Sequence, residues 1–156
     1  MEGDPAETSL SEYRAPPPFT RMLRRTIAVM VFGSWTLSLW LPAAYFVQVP
    51  GTVRGYEVLL LGWLGVIPNP AWLANIGLFV MLPVFLYHGK PGGCLLVGGG
   101  IAMGLCAISA LFWNTWPQGS NLSKPIIRGS GFYFWTSAVA GIAVAALLRA
   151  ATRAEV

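Results

Sequence analysis

Four apolar segments of this chain contain no Asp, Glu, Lys, Arg or His: residues 26–47, 71–87, 95–113 and 132–148. Each is 17 to 22 residues long, enough at about 1.5 Å per residue to cross or nearly cross a hydrocarbon core of about 30 Å. Charged residues make up 10% of the 156 and hydrophobic residues 55%, against a charged fraction of about 25% in soluble domains. The fold class expected is an all-α membrane protein: a four-helix bundle of transmembrane helices plus a short outer interfacial or re-entrant helix.

The short helix follows from the apolar run between Tyr56 and Tyr87, which Pro68-Asn69-Pro70 interrupts. A single straight helix over that run would be about 48 Å long, and its first part, residues 56–67, would reach only about 18 Å. Residues 56–67 are therefore expected to lie in the interface and 71–87 to form the second span. Asn69 suits an N-cap, Pro70 the first helical position, and Gly65 the end of the preceding helix. Pro42 and Pro83, inside spans one and two, are expected to kink them.

Residues 1–20 hold four acids and Pro16-Pro17-Pro18, a composition expected to give a disordered cytoplasmic tail. Residues 21–151 would form the transmembrane domain and 152–156 a second cytoplasmic tail. The first span is longer than the apolar core of a signal peptide and reads as uncleaved. With both termini cytoplasmic, seven Lys and Arg lie inside and three outside; counting residues 56–67 as a fifth span gives six against four. The positive-inside bias thus favours four spans with both termini cytoplasmic.

Chemistry-bearing residues are sparse. The ionisable side chains that mark proton relays and ion paths are missing from the spans, which argues against a self-contained pump or channel. His88 is the single histidine and Asp4 the single aspartate, so neither a haem held between helices nor a Ser/His/Asp site is expected. Cys94 and Cys106, twelve residues apart on one span, would be separated by about 18 Å and read as packed thiols. No catalytic residue, metal ligand or cofactor is expected, and no basic stripe points to nucleic acid.

Five of the seven tryptophans, with several amides, fall near the outer face. Trp63, Asn69, Trp72, Asn75, Trp113 and Asn114 form the candidate site. An aromatic belt accounts for the rings, but Asn75, a turn inside its span, needs a hydrogen-bond partner. Either Asn75 braces the short helix against the bundle, which is the favoured reading, or the cluster is an outward pocket for a small molecule or lipid headgroup. Small residues on spans three and four, notably Gly100, Gly104 and Gly141, suit close helix packing.

The segments Gly62-Trp63-Leu64-Gly65, Ala71-Trp72-Leu73-Ala74-Asn75 and Gly131-Phe132-Tyr133-Phe134-Trp135 resemble an uncharacterised group of small bacterial four-span inner-membrane proteins. The resemblance implies a bacterial inner-membrane location and transfers no activity or site residue. The function expected is that of a non-enzymatic accessory or assembly subunit of a membrane complex, in contact with lipids and with a membrane-protein partner or a second copy. The alternative is a lipid or small-molecule binding or transport protein using the Trp/Asn cluster.

Overall fold

The computed structural model describes residues 21–47, 50–62, 70–87, 93–118 and 122–154. The chain is mostly helical: α1 (Arg21–Trp40), β1 (Pro42–Phe46), β2 (Thr52–Arg54), α2 (Gly55–Leu61), a 3-10 turn (Pro70–Trp72), α3 (Leu73–Leu86), α4 (Gly93–Ala110), β3 (Thr115–Gln118), β4 (Leu122–Arg128) and α5 (Ser130–Ala154). Residues 1–20 and 155–156 of the expected tails and residues 63–69, which include Trp63, Gly65 and Asn69, lie outside the described residues, whereas residues 152–154 of the second expected tail belong to α5.

The first helix differs from the expected span over 26–47. It begins at Arg21, and it stops at Trp40 rather than kinking at Pro42. Proline has no N–H to continue the ladder and disfavours helix in the residue before it. Pro42 instead takes the first position of a strand, where that missing donor is tolerated. The other spans shift by a few residues: α4 runs 93–110 rather than 95–113, and α5 runs 130–154 rather than 132–148. The interfacial helix, expected over 56–67, is described only as the seven residues Gly55–Leu61. Pro83 lies inside α3 as expected.

The expectation of an all-α fold is corrected by an antiparallel sheet of order β2-β1-β4-β3. Its central pairing matches Ala44 with Arg128, Tyr45 with Ile127 and Phe46 with Ile126. Alternation of side chains buries Ala44, Val53 and Ile126 on one face and leaves Tyr45 and Ile127 exposed on the other. The edges are blunted, since β2 has only three residues and β3 contains Pro117.

The four longer helices pack around one apolar core that includes Val31, Leu78, Phe85, Leu96, Val139 and Ile142. Gly77 faces Met103 while Gly99 faces Met81, so α3 and α4 run antiparallel. Gly100 packs against Ala143 and Leu147, and Gly141 faces Val31. The amino end of α1 and the carboxyl end of α5 share one end of the molecule, where Arg24 and Arg149 both donate to the carbonyl of Tyr87, at 3.4 and 2.7 Å. The sheet covers the opposite end.

Two helices, α4 and α5, are long and apolar enough to cross a membrane; α3 with its 3-10 turn is shorter, at 17 residues. All four longer helices carry large apolar side chains exposed on the outer surface: Val29 and Met30, Phe79 and Val80, Ile101 and Leu105, Val144 and Leu148.

Candidate functional site

Asn75 stands in the first turn of α3 and is only 5% exposed. Its Oδ1 accepts two hydrogen bonds, from Trp35 Nε1 at 3.1 Å and from Trp135 Nε1 at 2.9 Å, and its Nδ2 donates to the carbonyl of Trp72 at 3.1 Å. An indole nitrogen is a donor only, so the amide must turn its oxygen toward the two rings. One side chain thereby ties α1, α3 and α5 together. Trp35 is packed edge-on against Phe79, with centroids 5.1 Å apart, and stacked with Phe32 at 5.8 Å.

Trp72 carries the connection outward. Its Nε1 donates to the carbonyl of Leu59 in α2 at 2.9 Å. A Cβ added to Gly62 would come within 2.6 Å of the Trp72 ring, so α2 approaches that ring at a position only glycine accommodates. At the other end of α2, Glu57 Oε2 accepts the Arg54 N–H at 2.7 Å, closing the first turn. Trp72 is one tie between the short helix and the rest of the chain, beside Leu59 on the helical core, Val58 on the apolar face of the sheet and Gly55 against the end of α1, and Asn75 holds the Trp72 carbonyl.

The remaining cluster residues are placed differently. Trp113 is half-buried against Phe132, centroids 6.0 Å apart, and shares with Trp135 a small apolar cluster of Ala71, Ala110 and Phe132. Asn114 is exposed, and its main-chain carbonyl accepts the Ile126 N–H at 3.0 Å, joining the end of α4 to the sheet. Trp63 and Asn69 lie outside the described residues. Trp35 and Leu59 were not anticipated. Trp35 was legible in principle, because Ala28, Val31, Trp35 and Ser38 are buried at spacings of three and four along α1.

Two arginines satisfy helix ends. Arg149 donates to the carbonyls of Val84 (3.1 Å), Phe85 and Tyr87, and its guanidinium lies 5.9 Å from the Phe85 ring centre. Arg128 donates to the carbonyls of Trp113 (3.2 Å) and Leu111 and sits 5.1 Å from the Phe132 ring centre. Each places a cation on the unpaired carbonyls that end a helix, where the dipole is negative.

Gly100 is closely packed, since an added Cβ would fall 2.9 Å from Leu147. Gly104 is not, having nothing within 4 Å, and Gly141 has only an ordinary contact, 3.5 Å from Val31. Among the described residues no three His, Cys, Asp or Glu side chains gather where a metal would be held, and no buried side-chain polar atom lacks a hydrogen-bond partner. The Asn/Trp network consists of neutral groups with their hydrogen bonds directed inward, an arrangement suited to holding helices in register. No protein-family model matches the chain, and neither a curated protein nor a solved structure matches it.

Proposed function

We propose that the chain is a non-enzymatic, multi-pass protein of a bacterial inner membrane that serves as an accessory or assembly subunit of a larger membrane complex. In this reading α1, α3, α4 and α5 are the four spans of a helical bundle. Both termini are cytoplasmic, and the sheet and α2 lie at the outer surface. The observation that carries it is the apolar exterior of all four helices, within segments that hold no Asp, Glu, Lys, Arg or His. A water-soluble monomer rarely exposes contiguous apolar patches beyond a few hundred Å²; in lipid such a surface is at no disadvantage.

A subunit role is supported by the outer face of α4, where Gly98 and Ala102 are exposed beside Ile101 and Leu105 and Cβ atoms added at Gly98 or Gly104 would meet nothing within 4 Å. Small residues at such spacing let another helix approach closely. The hydrogen bonds of Asn75 favour bracing over ligand capture, because both acceptor positions of its oxygen are occupied by indoles. Gentle detergent extraction followed by native-size separation tests the subunit role. A discrete co-purifying membrane polypeptide is expected; a lone monomer or homodimer carrying bound lipid would contradict it and favour the binding reading.

A further inference from the structure

Three arginines of this chain hold their guanidinium groups on main-chain carbonyls at helix ends. Arg149 donates to the carbonyls of Val84, Phe85 and Tyr87 where α3 ends, and Arg24 meets the same Tyr87 carbonyl from α1. At the other end of the molecule Arg128 donates to the carbonyls of Leu111 and Trp113, where α4 ends. A free Arg or Lys side chain near a membrane boundary turns its head out toward the headgroups. A guanidinium shared among helix-end carbonyls stays at their depth, so the two sets mark charged levels that the side chains cannot widen.

The separation of those levels follows along two helices. Gly77 lies against Met103 and Gly99 against Met81, so Phe85 in α3 stands level with Leu95 near the start of α4. From Leu95 to Leu111 is about 24 Å of helix, at about 1.5 Å per residue. On the α5 side the Arg128 guanidinium lies 5.1 Å from the Phe132 ring centre, and Phe132 to Arg149 is about 26 Å. Exposed aromatic rings stand at the same two levels, Trp40 and Tyr133 at the outer and Tyr87 at the inner, as Trp and Tyr do where a membrane meets water. Tilting the bundle would only lower this height.

We infer that the surface of the bundle fits glycerophospholipids with short acyl chains, in a hydrocarbon layer about 25 Å thick, and thins a thicker bilayer around itself. A core of ordinary thickness, about 30 Å, would bring Arg149 or Arg128 into hydrocarbon, where a cation is costly. Neither charge can leave without uncapping the carbonyls of α3 or α4, so the lipids yield instead. The inference rests on the membrane reading above.

Thermal melting of the full chain, followed by tryptophan fluorescence in phosphatidylcholine vesicles whose monounsaturated chains run from myristoleoyl through palmitoleoyl, oleoyl and eicosenoyl to erucoyl, tests it. The parent is expected to melt highest in the myristoleoyl or palmitoleoyl lipid and progressively lower as the chains lengthen. Arg149→Lys keeps the charge but lets it turn outward, and Arg128→Leu removes the outer charge. Each should move the optimum at least one lipid toward longer chains, and Arg128→Lys takes the place of Arg128→Leu if that variant does not fold. Arg25→Gln, at an exposed side chain, should leave the optimum where it is. A parent that melts highest in the oleoyl lipid or a longer one, or equally in all, overturns the proposal. So does an equal loss of melting temperature in every lipid for both arginine variants, which would make Arg149 and Arg128 helix caps and nothing more. A parent that inserts into the vesicles but melts highest in long-chain lipid loses only the thin belt; one that inserts into none loses the membrane reading as well.

Discussion

Asn75 illustrates how a single uncharged polar side chain can organise an apolar interior. Its replacement by Leu removes three hydrogen bonds and leaves two indole donors, of buried Trp35 and half-buried Trp135, without their acceptor. Each buried donor left unpaired costs about 1–3 kcal/mol, so Asn75→Leu should lower the melting temperature strongly. Trp72→Phe keeps most of the ring but deletes the bond to Leu59; with a net value of about 0.5–1.5 kcal/mol for that bond, the loss should be smaller and confined to α2. Limited proteolysis between Arg54 and Tyr56 should therefore accelerate in Trp72→Phe while the global melt moves little. A parent-like melt for Asn75→Leu would show that the network is not a brace. The need for a partner at Asn75 was legible in the sequence, because an amide inside an apolar span must be satisfied. Its partners were not, since Trp35 and Trp135 lie 40 and 60 residues away and only packing brings them together.

At the scale of elements, the sequence carries helix periodicity more clearly than short-strand pairing. Helices α3, α4 and α5 lie close to where uninterrupted apolar stretches put them. The segment Pro42–Phe46 was absorbed into the first span because five residues are too few for alternation to stand out against an apolar run. The sheet depends on close approach: Gly55, Gly129 and Gly131 come up against the carbonyls of Ser38, Leu41 and Pro42, where α1 gives way to β1. Glycine spacing also identified candidate packing faces without telling which face meets a neighbour. Gly100 does and Gly104 does not. Gly100→Leu should destabilise the protein in detergent, by about 1–3 kcal/mol as overpacking typically does, whereas Gly104→Leu should melt like the parent. The reverse order would mean that α4 is rotated about its axis relative to the packing described.

For the whole molecule, the orientation proposed above rests on the distribution of charge and exposure. Basic side chains gather where α1 begins and α5 ends, the sheet and α2 occupy the other end, and the segments between them expose apolar surface. The proposed four-span arrangement puts the positive end in the cytoplasm and the sheet outside, as the positive-inside rule favours. Site-directed labelling in intact cells with a membrane-impermeant thiol reagent, in a background lacking Cys94 and Cys106, tests this central claim most directly. Cysteines at Thr52 and Gln118 should label from outside, and cysteines at Lys90 and Thr152 only after the cells are opened. Labelling of Lys90 from outside, or of Thr52 and Thr152 from the same side, would contradict the four-span account.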